Sequence, residues 1–385
     1  MIKIKDKAKC CGCTACASIC AKHCISMKED KEGFLYPMVD ANSCVDCGAC
    51  ENVCPVLHAC EGRKPSHCYA AKNKDAEVLK RSSSGGVFSI LAQYVISEKQ
   101  GVVFGAMWED DRVVHGAVER LEDLYKLRGS KYVQSDLRDS FNQVAVFLKD
   151  DRYVLFSGTP CEIAGLKSYL RKDYDNLLTV DLACHGVPSP KVLALYIHEL
   201  KQKYGVETLR LNFKDKSTGW ATYSVTAKSG DKLLFSERAT ENIYMKGYLH
   251  ELFSRPSCHD CAFKSFRSSS DITLADFWGI EKLLSDLNCF DGWSLVMGNT
   301  LKGDNTLAFV SRGHKMIEVG YHEAIRYNGA LVYSESAHPQ RRNFFKDINK
   351  QSVSIAIEKG LKLTVVTRIK LRVIHFLKKY NKRHF

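Results

Sequence analysis

The chain has 385 residues, 17 of them cysteine, with a formal net charge of +12, 45% hydrophobic and 26% charged residues. These proportions exclude wholesale disorder and a collagen-like fibre, and at about 150 residues per domain the length implies two or three domains. No apolar run approaches the ~18 residues of a membrane span and no secretory signal precedes the cysteines, so the expected setting is cytoplasmic, with reduced thiols that bind metal.

Twelve of the 17 cysteines precede position 69. The expected first domain, 1–68, lacks long periodic segments, as where metal replaces a hydrophobic core. Cys10, Cys13, Cys16 and Cys20 follow the C-x2-C-x2-C-x3-C spacing, and Cys44, Cys47, Cys50 and Cys54 repeat it. Three cysteines spaced by two wrap one face of a cubane cluster, and the fourth of each run reaches the other cluster. Cys10, Cys13, Cys16 and Cys54 are therefore expected around one 4Fe-4S centre, and Cys44, Cys47, Cys50 and Cys20 around a second. Paired structural zinc sites are the competing reading, but zinc typically takes two C-x2-C knuckles rather than doubled four-cysteine runs. The region looks like a bacterial dicluster ferredoxin, except that Ala21 follows Cys20 where that family usually has proline. Cys24 is a conceivable substitute for Cys20, although the spacing favours Cys20. Cys11, Cys24, Cys60 and Cys68 are surplus and read mostly as small buried residues.

From 69 to 150 the pattern becomes mixed α and β. Gly86–Glu98 has helical apolar spacing, Gly101–Trp108 and Arg112–Val118 read as strands, and 136–149 is helical again. Over 151–335 the alternation continues: strand Tyr153–Phe156, helix Cys161–Arg171, strand Leu177–Leu182, then a helix opened by Ser189-Pro190. Leu209–Phe213 and Tyr223–Phe235, turning at Ser229-Gly230-Asp231, suggest antiparallel strands. Cys161 and Cys184 each follow a strand, and Cys258 and Cys261 form a C-x2-C knuckle. If the two strands are parallel neighbours, both thiols leave the same carboxyl edge, where α/β proteins place sites. The knuckle then closes a third four-thiolate site for a cluster or zinc; buried or redox-active thiols are the alternative. Cys289 reads as packing.

No G-x-G-x-x-G or P-loop follows a strand. Ser82, Ser83, Ser84, Gly85 and Gly86 lead into the 86–98 helix, a setting for a phosphate or for a plain serine cap. Ser130, Lys131 and Tyr132 form a second candidate segment, with a solvated loop as its bland reading. His185 and His259 adjoin candidate ligands but are expected to face elsewhere. Phe277 and Trp278 read as core.

The final segment, 336–385, ends in a basic stretch. Residues 359–385 hold nine Lys or Arg and no acid, leaving +3 for the rest, so nucleic acid is not an expected partner. Leu363, Val366, Ile369, Val373, Phe376, Leu377 and Tyr380 recur at helical spacing. A basic amphipathic helix suits an anionic membrane face or a partner, and a helix packed on its own domain is the alternative.

Arg81-Ser-Ser-Ser-Gly-Gly-Val-Phe-Ser, Gly129-Ser-Lys-Tyr-Val-Gln-Ser, Gly158-Thr-Pro-Cys, Asp181-Leu-Ala-Cys-His-Gly-Val-Pro-Ser and Asp276-Phe-Trp-Gly-Ile together resemble the coenzyme F420 hydrogenase/dehydrogenase beta-subunit family. The resemblance covers residues from about 5 to 300, and the family also uses a ferredoxin module ahead of this body. It implies an iron–sulfur flavoprotein oxidoreductase in which FAD passes electrons between reduced deazaflavin and iron–sulfur centres. It also implies a third 4Fe-4S cluster at Cys161, Cys184, Cys258 and Cys261, and a flavin pyrophosphate contact at Ser82–Gly86. Coenzyme F420 is one expected donor; related chains also occur in bacteria lacking it, some encoded near surface-polysaccharide genes. A redox partner protein or small redox carrier follows. The competing functions are a flavin-free electron relay and a zinc-stabilised binding protein with a basic arm. The expected fold is mixed α/β (α+β): a bacterial-ferredoxin-like dicluster domain, a flavin-binding body and a basic amphipathic C-terminal helix.

Overall fold

The computed structural model describes residues 1–362. The N-terminal module is small, with one antiparallel hairpin, β1 (Ile25–Glu29) and β2 (Leu35–Val39), and two one-turn helices, Ala15–Ser18 and Ala49–Asn52. Each helix carries the third cysteine of its run, Cys16 or Cys50. Each is entered through a left-handed residue, Thr14 at φ 63° and Gly48 at φ 73°, so the two cysteine runs fold alike.

The body is built on an eight-stranded sheet in the order β13-β3-β12-β11-β7-β6-β4-β5. Its strands are β3 (His67–Lys72), β4 (Val102–Glu109), β5 (Arg112–Val118), β6 (Val154–Gly158), β7 (Leu177–Leu182), β11 (Ile272–Asp276), β12 (Ser294–Gly298) and β13 (Lys315–Glu318). The central strands β4, β6, β7 and β11 run parallel, and antiparallel strands complete both sides. Every residue of β6 is buried, as expected of a parallel strand covered on both faces. One face packs on helices Val87–Ser97 and Leu301–Val310; another part of the core joins β6 to helices Ser140–Lys149 and Pro160–Leu170.

A second, three-stranded antiparallel sheet consists of β8 (Arg210–Asp215), β9 (Ser224–Ser229) and β10 (Lys232–Arg238). It shares a core with helices Pro190–Tyr204, Ile243–Leu249, Arg341–Asp347 and Val353–Leu361. As the Ser189-Pro190 pair predicts, Ser189 caps its helix, its Oγ accepting from the Val192 amide at 3.3 Å.

Strand β3 straddles the expected 68/69 boundary and pairs with β12 and β13, more than 200 residues later in the chain. The body therefore starts slightly before position 69, and Cys68 is one of its core residues. The last described helix, Val353–Leu361, packs through Val353, Ala356 and Ile357. The expected amphipathic helix from Leu363 onward lies outside the described residues. Among the described residues no helix is long and apolar enough to cross a membrane.

Candidate functional site

Two of the four later cysteines are brought together by parallel pairing. Strands β6 and β7 are parallel neighbours in the register Gly158↔Asp181, so Cys161 and Cys184 leave the same carboxyl edge. Cys161 opens helix Pro160–Leu170, whose first turn is fastened by the Thr159 amide donating to Glu162 Oε2 at 2.7 Å. Cys258 and Cys261 arrive on the turn Pro256–Asp260, fixed by the Arg255 amide on the Val187 carbonyl at 2.9 Å. All four cysteines line one cavity of about 250 Å³, together with Cys11, Asp181, His185 and Arg255.

Among the described residues no three His, Cys, Asp or Glu side chains converge as tightly as a single metal ion requires. The thiols surround a space instead. Tetrahedral zinc holds its sulfurs at about 2.3 Å and leaves no such space between them, whereas a 4Fe-4S cube is a larger body with thiolates at its corners. The donor set and the cavity thus fit a cluster. Burial pushes the Cys184 thiol well above its ordinary value and Cys258 up to about 12. Cys161 is raised first by its hydrogen bond with Cys11, then by burial. These thiols hold their protons until a metal group displaces them. The Val187 amide already points at Cys258 Sγ, 3.4 Å away.

The first ferredoxin-type set is equally compact. Cys10, Cys13, Cys16 and Cys54 line a smaller cleft with Ile2, Ile4 and Pro55, which is the membership the crossed spacing predicts. Burial raises Cys16 to about 12. Around the second set, Cys16, Cys24 and Cys50 are buried together, with Cys20 and Cys44 packed against them, while Cys47 is exposed. Cys24 Sγ lies 3.3 Å from Cys20 Sγ. Burial alone would raise Cys20, but hydrogen bonds from Cys24 and neighbouring backbone amides bring it below the ordinary thiol value. Cys24 is pushed up to about 12, largely by the same hydrogen bond. Of the two, Cys20 is the better thiolate.

Cys11, surplus in the sequence, sits where the two modules meet. Its buried thiol is in hydrogen-bonding contact with both Cys13 and Cys161. The same seam requires a glycine. A Cβ on Gly165, one turn after Cys161, would stand 2.7 Å from Cys13 Cβ and 3.0 Å from Cys13 Sγ. The first ferredoxin-type site therefore abuts the body site directly. Of the other surplus cysteines, Cys60 is exposed and Cys289 half-buried.

The two candidate flavin segments meet as well. Ser130 Oγ donates to Ser83 Oγ at 2.9 Å. Ser82 and Ser84 turn inward, donating to the Val78 and Trp293 carbonyls at 2.7 Å each. Lys216 Nζ holds the loop from beneath through the carbonyls of Leu79, Ser84 and Asp291 at 2.8, 3.0 and 2.6 Å. Gly86 gives helix Val87–Ser97 no side-chain cap, and Arg128 Nε donates to Ser89 Oγ in its first turn at 3.0 Å. Burial, then the neighbouring Arg81, lowers the Arg128 pKa. An uncapped helix N-terminus with two arginines close by is a setting for an anion. Lys131 differs from the expectation: its Nζ bonds to the carbonyls of Leu127, Arg128 and Gly129, and burial draws it down to about 7. Tyr132 is spent in packing, its ring against Phe213 and Tyr248. Lys216 and Arg128 were not visible in the sequence because neither stands in the loop it serves.

His185 and His259 both turn toward Glu251, with His185 Nε2 at 2.8 Å from Oε1 and His259 Nδ1 at 3.7 Å from Oε2. Both adjoin candidate ligands in sequence, and their ring nitrogens face this carboxylate. Trp278 stacks on Trp220 at 4.4 Å between centroids, and Phe277 is buried.

The fold and sites define an iron–sulfur protein, a dicluster module seated on a mixed α/β body that carries a further thiol-lined cavity. Residues 151–321 belong to the family described as the C terminus of the coenzyme F420 hydrogenase/dehydrogenase beta subunit, and residues 9–57 to the 4Fe-4S dicluster domain family. Family membership puts the chain among the iron–sulfur oxidoreductases. The uncharacterized protein MJ1349 of Methanocaldococcus jannaschii is 25% identical, over 91% of this chain and 96% of its own length. A chain of the F420-reducing nickel–iron hydrogenase complex from Methanosarcina barkeri is 19% identical with a TM-score of 0.45, over 69% of this chain and 91% of the other.

Proposed function

We propose that the protein is an iron–sulfur flavoprotein that passes electrons between a two-electron donor and a redox partner. The observation that carries this reading is the seam at Cys11, Cys13, Cys161 and Gly165, which brings the body cavity against the first ferredoxin-type site. Twelve cysteines would hold the clusters, as three sets of four: Cys10, Cys13, Cys16 and Cys54; Cys20, Cys44, Cys47 and Cys50; and Cys161, Cys184, Cys258 and Cys261. FAD would supply the coupling between hydride-type donors and one-electron clusters.

The chain's own residues do the positioning. Loop 82–86, pinned by Lys216 and closed by Ser130, leaves the first-turn amides of helix Val87–Ser97 and the Arg81–Arg128 pair for the cofactor's pyrophosphate. Tyr132 packs on Tyr248, and Tyr248 packs edge-on against His185, beside Cys184. This aromatic stretch excludes water between the flavin loop and the body cavity. A deazaflavin such as coenzyme F420 is the proposed donor class, and the acceptor is a redox partner protein reached through the ferredoxin module.

Anaerobic purification followed by cofactor extraction and iron analysis tests the reading. Brown protein that releases FAD is expected, and Cys161→Ser should lose about a third of the iron, four atoms of about twelve. Brown protein without flavin would leave the flavin-free relay, and an unchanged iron ratio in Cys161→Ser would dismiss the third cluster.

A further inference from the structure

Arg255 is one of the largest fully buried side chains of the molecule, only 1% exposed. Its guanidinium spans the seam between the two modules. Nε donates to the Cys10 carbonyl at 2.9 Å, Nη1 to Gln134 Oε1 at 2.9 Å, and Nη2 to the Leu35 carbonyl at 3.0 Å. Nη2 also reaches Cys10 Sγ at 3.8 Å, and the group lies 4.3 Å from the Tyr36 ring centroid. Gly12 makes room for it: a Cβ there would stand 2.8 Å from Nη1.

Among the described residues no carboxylate pairs with this charge. A buried cation with only carbonyls, an amide and an aromatic face around it is costly, and such groups are retained where an anion completes the site. The anion in reach is sulfur. Cys10 belongs to the first ferredoxin-type set, and a cluster held by four thiolates carries net negative charge that increases by one on reduction.

We propose that Arg255 is the buried counter-charge of the cluster held by Cys10, Cys13, Cys16 and Cys54, and that it raises that cluster's reduction potential. The inference rests on the cluster reading of these cysteines. Reduction adds one electron to the cluster with no change in its ligands, so the fixed positive charge stabilises the reduced form more than the oxidised one. Charge and hydrogen bonds at the sulfurs are established determinants of such potentials. In a chain of neighbouring centres, this makes the first ferredoxin-type site the favoured resting place for an electron leaving the body. Gln134, which holds Nη1 and also donates to the Cys11 carbonyl at 3.1 Å, keeps the guanidinium oriented.

The test is a potentiometric titration of the full, anaerobically purified chain, read by electron paramagnetic resonance. Arg255→Gln should lower the midpoint of one signal by about 59 mV or more, equal to a tenfold fall in the reduced-to-oxidised ratio at a fixed potential. The signal that moves should be the one lost in Cys54→Ala, and Arg255→Lys should restore most of the shift. Gln134→Glu neutralises the charge without removing the arginine, and should lower the same midpoint if Arg255→Gln fails to fold. Unmoved midpoints with full iron content would overturn the proposal, as would Arg255→Lys behaving like Arg255→Gln, which would mark a packing role. A wild-type chain with no cluster signal would instead sink the underlying cluster reading.

Discussion

Gly165 offers the sharpest test of how the two modules are joined. In an open helix interior, replacing glycine by alanine stabilises by about 1 kcal/mol. Here the new methyl would lie 2.7 Å from Cys13 Cβ. Carbon pairs prefer about 3.5–4.0 Å, so about 1 Å of separation must be found. The obstacle is the loop that carries Cys11 and Cys13 rather than the tip of a flexible side chain. Overpacking of this kind costs about 1–3 kcal/mol, and after the helix gain the net loss is about 0–2 kcal/mol. At about 2–4 °C per kcal/mol for a chain of this size, Gly165→Ala should leave the thermal midpoint unchanged or a few degrees lower. The displacement falls between two candidate centres, so electron transfer from body to ferredoxin module should slow in stopped-flow reduction while iron content holds. A thermal midpoint raised by about 2–4 °C with unaltered reduction kinetics would show that Gly165 faces open space and would refute the docking argument.

Other outcomes follow from the thiols and one buried carboxyl. Cys24→Ala should keep its full iron content, whereas Cys20→Ser should lose about a third; iron loss in Cys24→Ala would reverse the choice of ligand. Lys216→Met removes three hydrogen bonds to carbonyls of the 82–86 loop and its neighbours. That variant should lose extractable flavin while keeping its clusters, and retention of stoichiometric flavin would remove the loop from the cofactor site. Burial raises the Asp181 carboxyl from 3.8 to about 6, although Ser268 and Thr273 hydroxyls donate to it. Below 3.8 both folded and unfolded states are protonated, and between 3.8 and about 6 the folded state alone keeps the proton. Stability therefore falls as pH rises through that window, by about 3 kcal/mol in all, and stays level above it. Infrared difference spectra, wild type minus Asp181→Asn, should show a carboxyl titrating near pH 6, and a carboxylate already ionised at pH 5 would contradict the burial argument.

Much of the architecture was legible because its signals are local. The helix at Val87–Ser97 and the strands at Arg112–Val118 and Leu177–Leu182 follow from apolar periodicity, and the Ser189-Pro190 start follows from capping chemistry. Strands β3, β12 and β13 were not legible. Each is a short segment, as small as four residues, whose partner lies far along the chain, and a short apolar run does not distinguish strand from helix. The same division holds in the site. Lys131 and Tyr132 stand in a motif-like segment, yet Lys131 is held by the carbonyls of its own turn and the Tyr132 ring by the core. Arg128 and Lys216 approach the serine loop from outside its sequence, and no spacing rule points to them.

Spacing alone sorted the first eight cysteines into two crossed sets, because a cubane's corners impose a fixed step on whatever chain wraps it. It also marked Cys161 and Cys184 as sharing a sheet edge, provided their strands were parallel neighbours. Tertiary structure decided the rest. Only the register Gly158↔Asp181 satisfies that condition, and only the packing of the Cys10–Cys13 loop on helix Pro160–Leu170 places Cys11 between two thiol sites. Arg255 is three residues from Cys258 and 245 from Cys10, yet its side chain reaches the Cys10 sulfur. Ligand spacing is a property of local chain geometry, whereas the charge and contact that one centre presents to another depend on how distant segments fold together.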